Sequence, residues 1–251
     1  MAVKAKNDTF ARYMRAEGVG KQRIVGGSFG EVGTGKTSFW LGAPAPIVVQ
    51  TLDQGLEGVV EHYTRDGKEI YVAEYDLGQT VGSEYTHERA SVARDKFIAD
   101  FEHAIQHART IIWDRESDAF NMFSYAESGT TDKYGALIPK DWEKLKGSIR
   151  RLIAMAKASD VNFGVIQGMR DEWAKGKMGK TGVRVRDGME GIDALMHINL
   201  EHTRNGKTFG INVGKARGPG GHDIQDQSFE NLCFAEFAQL VFPDSNASDW
   251  E

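Results

Sequence analysis

Residues 23–53 read RIVGGSFGEVGTGKTSFWLGAPAPIVVQTLD, and this run decides the fold. Ile24, Val25 and Phe29 are apolar and read as a strand over 23–29 that runs directly into GEVGTGKT at 30–37. A short helix is expected near 37–41, ended by the stretch from Gly42 to Pro46, because proline cannot continue a helix. Ile47 to Leu52 then forms a buried strand ending at Asp53. Strand, loop and helix stand in the order that the pattern G-x-x-x-x-G-K-[ST] requires, and every fixed position is met: Gly30, Gly35, Lys36 and Thr37. Glycines, Gly33 among them, let successive N–H groups of the loop, from Glu31, Val32 and Thr34 to Ser38, converge on phosphate oxygens. The helix start adds a positive dipole. Lys36 would then reach the β and γ phosphates of a nucleoside triphosphate, and Thr37 would hold Mg²⁺.

Such a loop needs an acidic partner at the end of a neighbouring strand to grip the metal ion through water. ARTIIWD supplies Asp114 after an apolar run. Hydrolysis further needs a carboxylate that orients or deprotonates water. Asp53 is the first choice and Glu116 the other candidate. Gln167 ends the strand FGVIQ, where its amide would sense the γ phosphate. Lys215 and Arg217, in GKARGPGG, are placed to reach a nucleotide across a subunit interface, where a cation stabilises transferring phosphoryl charge. Between Met169 and Gly188, the cations Arg170, Lys175, Lys177, Lys180, Arg184 and Arg186 stand among glycines, with Trp173 as a stacking surface. The expectation is a mobile cationic loop suited to single-stranded nucleic acid. His103 and His107 lie four apart on a helix, yet no third ligand is evident for a metal.

Beyond the loop, helical and strand patterns alternate. A first short helix is expected over 8–16 and a strand over 69–75. Val92, Phe97, Phe101, Ala104 and Ala108 recur at helical spacing within 88–109, and a strand over 110–113 follows. Trp142, Leu145, Ile149, Leu152 and Ile153 repeat the helical pattern before a strand over 163–167. Alternation of this kind implies parallel pairing and a three-layer α/β domain. Strands over 194–202 and 208–213 flank Asn205-Gly206, so the sheet should finish in an antiparallel hairpin, followed by a helix over 229–240. The 251 residues fit one such domain over 23–251, preceded by a helical segment over 1–22.

Thirty-one basic against 36 acidic side chains leave a net charge of −5, so no global field draws nucleic acid and any such contact is local. Cys233 is the only cysteine, which excludes an intrachain disulfide and a cysteine-clustered zinc site and suits a reducing compartment; a buried thiol is expected. No apolar run approaches the roughly 18 residues of a membrane span, and the first residues lack the apolar core of an export signal. The expectation is a soluble, intracellular protein.

Taken in order, GEVGTGKT, the strand ending at Asp53, TIIWD, FGVIQG and GKAR resemble the RecA-like ATPase core over about 23–242. More narrowly they are similar to small phage-encoded nucleotide-binding proteins, including Sak-type single-strand annealing recombinases. That resemblance implies an oligomeric, ATP-driven protein acting on single-stranded DNA in recombination, annealing or replication, with replication or recombination proteins as further partners and the host cytoplasm as its compartment. It implies that Gly30, Gly33, Gly35, Lys36 and Thr37 bind ATP, Asp114 supports Mg²⁺, Gln167 is the sensor, and Lys215 and Arg217 act across an interface. Two departures stand out: that family commonly has Glu where Asp53 stands, and Ser or Thr where Arg115 follows Asp114. An ATP-gated adaptor that hydrolyses slowly and recruits protein partners, and a small-molecule kinase, also fit the loop.

Overall fold

The computed structural model describes residues 21–52, 55–56, 58–75, 87–128, 142–173 and 179–251, without the side chains of Ser128 and Trp173. Strand β1 (Val25–Phe29) leads through the glycine loop into α1 (Lys36–Leu41), then β2 (Ile47–Thr51), α2 (Val60–Arg65) and β3 (Ile70–Glu74). Helix α3 (His87–His107), strand β4 (Thr110–Asp114), helices α4 (Glu116–Ser128) and α5 (Trp142–Ala158) and strand β5 (Asn162–Gln167) follow. The chain continues with β6 (Met169–Trp173), β7 (Lys180–Arg186), α6 (Ile192–Leu195), β8 (Ile198–Asn205) and β9 (Thr208–Ala216). It closes with α7 (Gly221–Ile224), β10 (Ser228–Glu230), α8 (Phe234–Val241) and a 3-10 turn at Ala247–Trp250.

Eight strands form one sheet in the order β10-β9-β8-β1-β5-β4-β2-β3. From β8 to β3 all neighbours are parallel, while β8, β9 and β10 pair antiparallel. This is the expected three-layer α/β fold with a mainly parallel sheet and an antiparallel end. The strand that feeds the loop is central, flanked by β5 on one side and β8 on the other, and β5 separates it from β4. Parallel strands buried on both faces read as continuous apolar runs, and β4 and β5 are buried throughout.

One face of the sheet packs Trp113 and Phe163 against Phe97 and Phe101 of α3, Phe123 of α4 and Ile149 and Leu152 of α5. The other packs Val49, Ile112, Ile166 and Leu200 against Phe39, Trp40 and Leu41 of α1 and Phe234 and Phe237 of α8. Gln50 is fully buried on β2 and fully used: its Nε2 donates to the Tyr75 hydroxyl (2.7 Å) and the Phe97 carbonyl (2.9 Å), and its Oε1 accepts from Trp113 Nε1 (2.9 Å). Buried polar groups satisfied in this way rigidify a core without an unpaired cost.

Several elements differ from the sequence reading. The cationic stretch from Met169 to Gly188 is not a loop over its described residues: β6 and β7 form an antiparallel ribbon outside the main sheet. Thr181, Val183 and Val185 alternate with Gly182, Arg184 and Arg186, a period of two that the charge density masks. The strand expected over 194–202 begins only at Ile198, because 192–195 form α6. Its partner runs past Val213 to Ala216, so Lys215 lies within β9. Residues 228–230 add the edge strand β10, and the closing helix starts at Phe234. Cys233 is exposed, not buried: it caps α8, its Sγ accepting from Glu236 N (3.5 Å) while its own N–H donates to Glu236 Oε2 (2.9 Å). The helical segment expected over 1–22 falls almost wholly outside the described residues.

Trp40 lies where β5 carries Gly164, and a Cβ there would stand 2.4 Å from the indole. Gly164→Ala is therefore expected to destabilise the fold by about 1–3 kcal/mol through overpacking, measured as the change in unfolding midpoint in urea.

Candidate nucleotide-binding site

The glycine loop leaves the carboxyl end of β1 and turns back into α1 through left-handed positions. Gly30 (φ 149°) passes so close to the His202 carbonyl that a Cβ would lie 2.2 Å from it, and Gly35 (φ 85°) caps α1. Side chains at either position would break the turn. Lys36 is the first residue of α1, and its ammonium bridges the loop, donating to the carbonyls of Gly30 (2.8 Å) and Glu31 (2.7 Å). Burial lowers its proton affinity, opposed by the charges of Asp114 and Glu31. Thr34 Oγ1 donates to the Glu31 carbonyl (2.8 Å) and stiffens the loop from within.

Asp114 ends β4 and is 9% exposed. Thr37 Oγ1 donates to its Oδ2 at 3.4 Å, so the two oxygen ligands expected for Mg²⁺ face one another although 77 residues separate them. A hydroxyl and a carboxylate so placed are the hard oxygen donors that this ion selects. They open on a cavity of about 480 Å³ lined by the loop and by Arg115, Ser117, Arg184 and Asp187 among others. Asp53 lies outside the described residues. Thr51, two residues before it in the sequence, is level with Asp114 in the sheet.

Gln167 ends β5 level with Phe29, at the base of the loop, and its Nε2 donates to Glu116 Oε2 (2.9 Å). Glu116 is 1% exposed and also accepts from the Met189 N–H (3.2 Å), so this carboxyl faces Gln167 and Met189 and is not among the residues that line the cavity. Burial pushes it from 4.5 up to about 7, against the pull of those two donors.

Lys215 and Arg217 do not approach this loop. Lys215 pairs with Asn199, which is level with Gly27, and its Nζ donates to the carbonyls of Asp193 (3.0 Å) and Ala194 (3.3 Å). It therefore lies toward the amino end of the parallel strands. Arg217 lines a separate cavity of about 570 Å³ with Lys21, Arg23, Lys157 and His197. Burial, and then the charges of Lys157, Arg23, Arg217 and Lys215, pushes His197 down to about 4.

Residues that the sequence reading did not single out also reach the loop. The β8–β9 hairpin turns beside it: Arg204 Nη1 donates to the Gly33 carbonyl (3.4 Å), its guanidinium lies 5.1 Å over the Phe209 ring, and Phe209 packs on Gly35. Asn205-Gly206 does fix the pairing of Arg204 with Phe209. What brings them to the loop is the parallel pairing of β8 with β1, which no local signal announces. Arg184, expected only as a cation for nucleic acid, instead forks onto Glu31 of the loop at 2.7 and 2.8 Å. Arg186 of the same ribbon lies 3.5 Å over the Phe29 ring.

No protein-family model matches the chain, and no curated protein does. Among solved structures the chain is similar to the RadB recombinase in its crystal structure, with a TM-score of 0.48 and 10% sequence identity over 84% of this chain and 86% of that one.

Glu116 keeps its proton to higher pH in the folded chain than in the unfolded one, so between 4.5 and about 7 the native state holds the extra proton. Stability then falls as pH rises through that window. Glu116→Gln should remove that slope, seen as a wild-type unfolding midpoint that drops relative to the variant's between pH 4.5 and 7.5.

Proposed function

We propose that this chain is a P-loop ATPase, stimulated by single-stranded DNA and working as an oligomer in phage recombination, annealing or replication. The observation that carries the reading is the meeting of Thr37 and Asp114 beneath a glycine loop that carries Lys36. A triphosphate would lie along the loop N–H groups at the start of α1, with Lys36 leaving the carbonyls of Gly30 and Glu31 for phosphate oxygens. Thr37 and Asp114 would hold Mg²⁺, which when bound supplies positive charge to the β and γ oxygens. Asp53, two residues past the end of β2, takes the role of the carboxylate that orients water. Gln167 is the sensor whose amide shares a hydrogen bond with Glu116, and through Met189 that carboxyl connects to the chain that leaves the β6–β7 ribbon. Lys215 and Arg217 lie away from their own loop, and the role proposed for them is to reach the nucleotide of another copy.

DNA is assigned to the β6–β7 ribbon. Among the described residues of that stretch, all four cations are already ion-paired: Arg170 with Asp187, Lys180 with Asp171, Arg184 with Glu31 and Asp171, and Arg186 with Asp193. A strand must compete with those carboxylates. Even five contacts would give a log–log salt slope of about −3.5 for single strands, so the measured slope should be no steeper than that. Filter binding between 50 and 300 mM salt measures it, and a flat response would remove the ribbon from the DNA path.

The main test is steady-state phosphate release from ATP with and without single-stranded DNA. Wild type should be stimulated by DNA. Lys36→Ala and Asp114→Asn should each lose activity on the order of 100-fold or more, and Asp53→Asn should keep nucleotide binding while losing hydrolysis. ATP binding with negligible turnover, unchanged by DNA, would overturn the ATPase reading in favour of an ATP-gated adaptor.

A further inference from the structure

Strand β7 carries Arg184 to the mouth of the nucleotide cavity, which it lines together with Lys36, Thr37 and Asp114. Its guanidinium is committed there. Nε and Nη2 donate to the two carboxylate oxygens of Glu31 (2.7 and 2.8 Å), Nη1 to Asp171 Oδ1 (3.0 Å), and Nη2 also to the Met169 carbonyl (3.0 Å). These contacts hold Arg184 firmly protonated and keep the Glu31 carboxyl below its usual range.

The pattern is unlike an incidental surface bridge in three respects. Asp171 and Met169 belong to the same ribbon as Arg184, so among these partners Glu31 alone lies outside it. Glu31 is the second residue of the phosphate loop, and its carbonyl also holds the Lys36 ammonium, so two cations at this cavity rest on one residue. The planar fork that fits a carboxylate fits a pair of phosphate oxygens equally well, and a γ-phosphate carries more charge. The Arg184 and Glu31 side chains remain 41% and 55% exposed, so water screens the pair and lessens what even its forked geometry contributes. A triphosphate in the cavity is therefore a competitor for Arg184 that the carboxylate does not outmatch.

Resting on the ATPase reading above, we propose that Arg184 is a catalytic cation acting within its own chain: Glu31 and the γ-phosphate compete for its guanidinium, and ATP binding moves it from carboxylate to phosphate. In hydrolysis the water oxygen bonds to the γ-phosphorus and the bond from that phosphorus to the β–γ bridging oxygen breaks, its electron pair staying on ADP. The water proton passes to solvent. Arg184 gives up no proton and stabilises the charge on the transferring oxygens. Because Asp171 pairs with Arg184 inside the ribbon, the exchange leaves the ribbon intact while loosening its tie to the loop. Nucleotide occupancy and the ribbon assigned to DNA are thereby coupled through one side chain.

The test uses the full chain and two substitutions of the same ion pair, with fluorescent ATP and ADP analogues for binding and phosphate release for turnover. Glu31→Gln removes the competitor and should tighten ATP by about two- to fivefold while leaving ADP nearly unchanged. Arg184→Gln should weaken ATP more than ADP and lower kcat on the order of 10³-fold, with Arg184→Lys recovering only part. A purely structural bridge predicts that both substitutions move ATP binding in the same direction, and that result, or an unchanged ATP to ADP ratio in Arg184→Gln, overturns the proposal while the ATPase reading stands. A wild type that binds neither nucleotide overturns both.

Discussion

A helix of six residues cannot hold its own shape in water, because nucleation costs more than so few hydrogen bonds return. Helix α1, which carries both Lys36 and Thr37, therefore exists through what it packs against. Trp40 is its anchor. The indole is fully buried, lies over the bare backbone of Gly164, stands 5.4 Å from the Phe234 ring, and donates its N–H to Ser28 Oγ at 2.9 Å. Ser28 in turn contacts His202 Nε2 at 3.0 Å, a ring that burial, and then the Lys36 charge, holds neutral down to about 3. The placement of Lys36 and Thr37 thus hangs on a contact made away from the loop.

The same dependence explains what was legible in the sequence. The loop pattern names its residues outright, and the apolar runs that end at Asp114 and Gln167 mark the strands that carry them, since parallel strands buried on both faces leave an unmistakable trace. Helices α3 and α5 were readable from spacing alone. The ribbon was not, because its alternation is carried by valines set among arginines and a glycine, and charge dominates such a stretch. Helix α4 opens with Glu116, whose burial follows from Gln167 and Met189 in other parts of the chain. Arg204 and Phe209 reach the loop only through strand order. For Glu116, Arg204 and Phe209 the missing information was the choice of neighbour, which no window of sequence contains.

At the cavity and its loop, cations already have partners of the chain's own making: Lys36 on loop carbonyls, Arg184 on Glu31, Arg204 on Gly33 and Gly206. Most of these partners are backbone carbonyls or half-exposed carboxylates, which bind a cation without trapping it. Asp114, by contrast, is buried at a strand end, where its position is set by the sheet itself.

A mainly parallel sheet also has two chemically different ends, and here the difference is pronounced. The carboxyl end carries the loop. The amino end carries Lys21, Arg23, Lys157, His197 and Arg217 around a cavity. Any association that brings Arg217 of one copy to the loop of the next must join two unlike patches, a heterologous contact with no twofold axis. Such contacts repeat head to tail, closing into a ring when the rotation divides a full turn and otherwise growing as a helical filament with a direction. Polarity of the assembly would then be inherited from the direction in which β1 runs.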